Sequence, residues 1–282
     1  MENREPAIGS VENHREREKG VLVYPVYSRR AGGLSLGINL FPDKKACPFD
    51  CPYCEVFPFK INTVFSLEQM ERDLRSAIND SLEQNIPVKD ICFSGNGEPS
   101  LSFDFIEALQ VAERIRTEML PSAELVLISN GAGLLQPGLL SLLCLAASGP
   151  TALNIWLKLD AGTLAWYAKM NRSAIPHDTL IAAIKEFAAK APLTIQTMLC
   201  AVDGEEPSPQ EVQTWEALML ELAAIAAASG TGGIRKIQLY GKARPSPDDP
   251  QAQPLPVSYL EERAASLRRK LSSPSPLVEV YP

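Results

Sequence analysis

Asn154-Ile155-Trp156-Leu157-Lys158-Leu159-Asp160 alternates side chains of two kinds. Asn, Trp, Lys and Asp hold the even positions and aliphatic residues the odd ones, the period-two pattern of a strand whose faces meet different surroundings. Leu193–Cys200 repeats it, with Thr194, Gln196 and Met198 opposing Leu193, Ile195 and Leu199. Leu34–Leu40 does so through Ser35, Gly37 and Asn39, and Lys236–Tyr240 through Lys236, Gln238 and Tyr240. Asp90–Ser94 and Leu125–Ser129 complete six strand candidates separated by helix-sized intervals. That order predicts βαβ units, right-handed crossovers and a parallel sheet. The expected fold class is α/β, a partial (β/α)6 TIM-like barrel with helices on its aliphatic face and a polar, partly open, ligand-holding face inside.

Helix starts are legible between the strands. Ser66-Leu67-Glu68-Gln69 is a capping box, continued by Met70, Leu74, Ile78 and Leu82 at helical spacing. Ser208-Pro209-Gln210-Glu211 repeats the signal with Pro suited to the first helical position, and Ser258-Tyr259-Leu260-Glu261 gives a third. Residues 137–148 and 176–190 also read as helical. Three segments are expected: a flexible polar arm over 1–20, a core over 21–245, and a Pro-rich connection with a C-terminal helix over 246–282. The Pro-rich run 243–257 is either a lid or a plain crossover.

A chain of 282 residues can bury a large core without staples. Its net charge of −7 speaks against a nucleic-acid groove over much of the surface. The N-terminus is charged from Glu2 onward and has no signal-peptide core. The most apolar stretch, Leu125 to Gly149, is interrupted by Asn130, Gln136 and Pro137, so no membrane span is expected. Six cysteines in such a chain point to a reducing cytoplasm and to metal binding rather than to a disulfide framework.

Cys47-Pro-Phe-Asp-Cys51-Pro-Tyr-Cys54 follows the first strand candidate, on the side where α/β folds build sites. Its C-x3-C-x2-C spacing lets three thiolates converge. A closed zinc site wants a fourth ligand, and no second pair exists: Cys92, Cys144 and Cys200 stand alone, and His14 and His177 lie far apart in sequence. Three thiolates on an iron–sulfur cluster leave one iron open to a substrate or cofactor. A non-catalytic iron–sulfur or zinc-binding module on a barrel scaffold is the competing reading. Cys92, Cys144 and Cys200 sit in apolar runs and read as buried structural thiols.

The run resembles the C-x3-C-x-Φ-C signature of radical S-adenosylmethionine (SAM) enzymes, Tyr53 standing at the aromatic position. Pro25-Val26-Tyr27-Ser28-Arg29-Arg30 and Leu36-Gly37-Ile38-Asn39-Leu40 ahead of it are similar to one branch of that superfamily. This is the branch of Fe–S oxidoreductases related to the enzymes that form the tricyclic wyosine base of tRNA. The resemblance runs from about residue 22 to residue 245. It implies a [4Fe-4S] cluster on Cys47, Cys51 and Cys54, and reductive cleavage of SAM to a 5′-deoxyadenosyl radical that abstracts hydrogen from a substrate. It also implies an external electron donor of flavodoxin or ferredoxin type. The substrate stays open among a small molecule, a peptide and tRNA.

Ser94-Gly95-Asn96-Gly97-Glu98-Pro99 is similar to the family's Gly-Gly-Glu element, with Asn96 where many members have Gly. The resemblance assigns Gly95, Asn96, Gly97 and Glu98 to the methionine amino group; a plain strand-to-helix turn is the alternative. Ser129 and Asn130 match a ribose- and carboxylate-contacting position. Asp160 with Lys158, and Asn171 with Arg172, are candidates for cofactor or substrate contact. Gln196, Gln238 and Tyr240 fall where the family contacts sugar and adenine. Lys158, Asp160 and Cys200, the one lone cysteine near a strand's C-terminal end, are the catalytic candidates. Arg29 and Arg30 either bind an anionic substrate or brace their loop.

Overall fold

The computed structural model describes residues 20–149, 152–229, 233–271 and 276–282; the expected arm, apart from Gly20, lies outside them. All six strand candidates form. The strands are β1 (Val23–Ser28), β2 (Gly33–Asn39), β3 (Val88–Ser94), β4 (Glu124–Ser129), β5 (Leu153–Lys158), β6 (Pro192–Val202), β7 (Gly233–Gly241), β8 (Ala252–Pro254) and β9 (Leu277–Tyr281). The helices are α1 (Leu67–Glu83), α2 (Phe105–Met119), α3 (Leu139–Ser148), α4 (Leu164–Met170), α5 (His177–Lys190), α6 (Pro209–Ser229) and α7 (Val257–Lys270). The chain divides into two units, one running through Ala46 and resuming over Pro58–Leu127, the other comprising Cys47–Phe57 and Ile128–Pro282.

In the first unit the strand order is β1-β2-β3-β4. β1 pairs antiparallel with β2, and β2, β3 and β4 run parallel. Ser66 caps α1 as its box predicts, accepting from Gln69 N at 3.3 Å. Met70, Leu74 and Ile78 of α1 are fully buried, as are Leu36 and Ile38 of β2, Ile91 and Phe93 of β3, and Ile115 of α2. Each such side chain contributes about 1.5–3 kcal/mol relative to exposure. Gly37 is required by its neighbour, since a Cβ there would meet the Tyr24 ring at 2.3 Å. Tyr24 lies across it and reaches Ser94 Oγ at 2.7 Å.

In the second unit the order is β5-β6-β7-β9, all parallel, with β8 antiparallel on β6. Ile155, Ile184, Phe187, Leu193, Ile195, Met219, Leu222, Ile237 and Leu239 are buried at 0% exposure and form the continuous apolar layer of this unit. The Ser208 box caps α6 by accepting from Glu211 N at 3.1 Å. Ser258 caps nothing: α7 begins one residue earlier, with Pro256 at its cap position. Pro256 breaks the preceding extended chain, and its fixed φ leads directly into the helix.

Much of each polar strand face is buried, while Asn154, Lys158 and Lys236 keep some exposure. Ser35, Asn39, Thr194, Gln196 and Gln238 are all buried. So is Asp90, whose carboxylate accepts from Ser35 Oγ. Burial pushes Asp90 up to about 6, the Ser35 bond opposing it and Glu124 adding to it. The folded value lies above the unfolded one of about 3.9. Stability is therefore lost as pH rises between about 4 and 6, by about 3 kcal/mol in total. Asp90→Asn keeps the acceptor for Ser35 and removes the charge. It is expected to raise the melting temperature at neutral pH and to abolish that pH dependence, as thermal melts across the window will read.

Candidate functional site

The cysteine loop leaves β2 at Asn39, whose buried side chain is fully used. Its Nδ2 donates to Val21 O at 3.0 Å, and its Oδ1 accepts from Phe41 N and Asn96 N, both at 3.1 Å. Asn39 thus ties the loop after β2 to the loop after β3. The two then bridge as short extended segments: Ala46 N donates to Asn96 O and Glu98 N to Ala46 O, each at 2.9 Å. The glycines of Gly95-Asn96-Gly97 serve this approach. Gly95 has φ +114 with Asn39 Oδ1 only 2.7 Å from where a Cβ would stand, and at Gly97 a Cβ would meet the Ala46 carbonyl at 2.1 Å. Asn96 donates its amide to Phe41 O at 3.2 Å. Glu98 is buried and accepts from Ser100 N at 3.2 Å.

Beyond Ala46 the three cysteines receive N–H groups. Cys47 Sγ accepts from Phe49 N at 3.4 Å and from Asn130 Nδ2 at 3.3 Å. Asn130 is held for this by its own turn, Oδ1 accepting from Ala132 N at 2.9 Å. Ser129 likewise accepts from Gly131 N at 3.0 Å, where φ is +83. Cys54 Sγ accepts from Val56 N at 3.5 Å, and Asn171 Nδ2 lies 3.8 Å from Cys51 Sγ. Three thiols at this spacing, each facing an N–H donor, suit thiolate ligation of an iron–sulfur centre. Among the described residues, no three His, Cys, Asp or Glu side chains form a group that could hold a single metal ion. Burial pushes Cys51 up to about 12, Asp160 adding to the rise and Lys158 opposing it; a coordinated metal reverses such a shift by taking the thiolate outright.

Asp160 anchors this loop. Its carboxylate accepts from the Tyr53 hydroxyl, from Asn171 Nδ2 at 3.1 Å and from Met198 N at 2.9 Å, with Lys158 Nζ at 3.5 Å. Tyr53 is held well above the usual phenol range by burial and by Asp160. Lys158 Nζ lies 4.4 Å from the Tyr53 ring centre and 4.9 Å from that of Tyr240, and donates to the Tyr240 hydroxyl. Burial works against its charge, yet Asp160, Tyr240 and Cys51 hold it above the ordinary lysine range. Deeper on the same face Gln196 Nε2 donates to Gln238 Oε1 at 2.8 Å, leaving Gln238 Nε2 without a partner among the described residues.

Several sequence candidates find other duties. Cys200 is fully buried against Met170 Sδ at 3.8 Å, and burial pushes it up to about 12, which is inert-thiol behaviour. Cys92 is buried as expected, whereas Cys144 is only half-buried on α3. Arg29 and Arg30 occupy the β1–β2 turn, at the opposite end of β2 from Leu40, where the cysteine loop departs. Arg172 pairs with Asp248 at 3.2 Å and Gln251 at 2.7 Å. Sequence reasoning missed that the Pro-rich segment fastens the cysteine loop. Ser246 Oγ donates to Pro52 O at 2.8 Å, and Arg244 pairs with Glu55 at 3.1 Å. An Arg and a Ser among prolines gave no signal of those partners.

No family model matches the chain. UPF0026 proteins of two Helicobacter pylori strains are 31% identical over 117 residues, which is 40% of this chain and 35% of their own length. The chain thus matches about a third of those relatives. Among solved structures, a radical SAM methyltransferase from Sphaerobacter thermophilus superposes with a TM-score of 0.62 at 14% identity, covering 92% of this chain and 68% of the other. TYW1 with a lysine–pyruvate adduct gives 0.56 at 14% identity, covering 89% and 85%. Streptococcus suis SuiB bound to S-adenosylmethionine gives 0.54 at 15% identity, covering 84% and 45%. No helix among the described residues is long and apolar enough to cross a membrane. The chain has the fold of the radical SAM enzymes, an α/β partial TIM-like barrel of mainly parallel strands, and the resemblance read from its cysteine run holds at the level of that fold.

Proposed function

We propose that this chain is a radical SAM enzyme whose core spans residues 21–245 and whose cluster is held by Cys47, Cys51 and Cys54. The observation that carries the reading is the N–H group facing each of those three sulfurs, on a chain with the fold of such enzymes. When bound, a [4Fe-4S] cluster would supply the electron that cleaves SAM to methionine and a 5′-deoxyadenosyl radical, which takes a hydrogen atom from substrate.

The residues divide the work. Asn130 and Asn171 direct amides at sulfur, and Asp160 with Tyr53 fixes the loop that carries Cys51. The Gly95–Glu98 turn and Ser129 receive the methionine and ribose portions of SAM, while Gln196, Gln238 and Tyr240 serve its adenosine side. Gln238 Nε2, buried without a partner among the described residues, favours an acceptor there, because an unsatisfied buried donor costs about 1–3 kcal/mol. Lys158, held as an ammonium between two aromatic rings, orients the substrate. The substrate is a small molecule, a peptide or a tRNA base, reduction comes from a flavodoxin- or ferredoxin-type donor, and the enzyme works in the cytoplasm.

Anaerobic reconstitution with iron and sulfide, followed by dithionite and SAM, is expected to release 5′-deoxyadenosine. A cluster-loaded protein that neither binds SAM nor releases that nucleoside would sink the reading. Gly97→Ala, which drives a Cβ into the Ala46 carbonyl, is expected to cut SAM cleavage at least about tenfold while far-UV circular dichroism stays unchanged.

A further inference from the structure

We propose that Asn171 and Asp160 are a positioning pair for Cys51, presenting an amide N–H to its sulfur and so setting the reduction potential and iron retention of the cluster. The inference rests on the preceding reading that the three cysteines hold one. Sequence alone assigns both residues to cofactor or substrate contact; their bonds point inward, to the cysteine loop.

Asn171 ends α4, its backbone N–H donating to Tyr167 O at 2.9 Å. The next residue, Arg172, has φ +46, a left-handed conformation that costs a non-glycine residue about 1–2 kcal/mol. The Arg172 guanidinium, bonded to Asp248 and Gln251, holds the chain in that turn. The turn fixes where Asn171 points. Its carbonyl accepts from Asp50 N at 3.0 Å, docking the cysteine loop by its backbone, and Cys51 Sγ lies 4.0 Å from the same oxygen. Its side-chain amide is buried between two acceptors, Asp160 Oδ2 at 3.1 Å and Cys51 Sγ at 3.8 Å.

Asp160 decides which way round that amide sits. A carboxylate accepts only, so the amide must turn its Nδ2, not its Oδ1, towards it. An NH₂ group carries two hydrogens; with one given to Asp160, the other is free for sulfur. The carboxylate is itself immobile, being fully shielded and held by Tyr53, Met198 N and Lys158 as well. An N–H aimed at a cluster thiolate offsets its charge, which favours the more negative reduced state and raises the potential.

The test uses the full chain loaded anaerobically with iron and sulfide, as wild type, Asn171→Leu and Asp160→Asn. Potentials are read by titration monitored by electron paramagnetic resonance, and iron loss by release to a chelator. Asn171→Leu is expected to shift the potential to more negative values and to speed iron release by roughly 10- to 100-fold. Asp160→Asn also removes a negative charge beside Cys51, which by itself raises the potential, so this variant is read by iron release, expected to speed up as in Asn171→Leu. If Asn171→Leu yields no folded protein, Asn171→Ala reads the same two quantities. A loaded variant at position 171 with wild-type potential and wild-type iron release overturns the pairing but leaves the cluster reading intact, since a merely structural asparagine would alter melting and nothing else. A wild-type chain that takes up no iron and sulfide overturns both.

Discussion

A carboxylate sealed from water has to be satisfied by protein, and Asp160, its side chain fully shielded, imposes that demand on much of the second unit. An unpaired buried charge costs several kcal/mol, so each donor around it is constrained in position. Four such donors meet there, from four separate pieces of chain: the Tyr53 hydroxyl of the cysteine loop, the Asn171 amide at the end of α4, the Met198 backbone in β6 and the Lys158 ammonium at the end of β5. A loop that must bring a hydroxyl to that point cannot wander. Cys51 and Cys54 flank Tyr53, so the charge that orders Tyr53 also orders two of the three thiols.

The same demand explains what the strand pattern could and could not convey. Period-two alternation in Asn154–Asp160 and Leu193–Cys200 reports two unlike faces, and both strands form with those faces. Alternation does not report exposure. Thr194, Gln196 and Gln238 are as buried as the aliphatic residues opposite them; Gln196 and Gln238 share a hydrogen bond, while Thr194 Oγ1 and Gln238 Nε2 have no partner among the described residues. β1 escaped the pattern since Val23 and Tyr24 are consecutive and both buried, and Pro25 reads as a breaker; at the edge of a sheet a missing N–H costs nothing. β8 is too short, at three residues, for a period to register, and β9, Leu-Val-Glu-Val-Tyr, has one charged residue in five and shows no clear alternation.

The cysteine triad was legible because ligand spacing is local in sequence. Its supports were not, since residue type announces capacity and not partner. Asn130 and Asn171 lie 83 and 120 positions from the sulfurs they face, and only the folded β4 and α4 ends bring them there. Glycine gave a firmer signal. At Gly97 the requirement is steric, an approach of backbone to backbone that no side chain permits, and the folded chain supplies Ala46 as its other half.

The Pro-rich run 243–257 shows how far such inference reaches. Prolines carry no N–H, so a segment rich in them has few backbone bonds with which to dock and relies on its remaining side chains. Ser246 supplies a buried bond to the Pro52 carbonyl, itself a proline's only backbone polar group. Arg244–Glu55 adds a half-exposed ion pair, and β8 adds three residues of ladder to β6. A buried hydrogen bond is worth about 0.5–1.5 kcal/mol and a surface pair about 0–1, so the Ser246 bond outweighs the Arg244–Glu55 pair in docking the run. Arg172, bonded to Asp248 and Gln251, and Asp203 N, donating to Gln251 O at 2.7 Å, fasten the rest of the run. The segment is thus a connection from β7 to α7 that rests on the cysteine loop through Ser246 and Arg244.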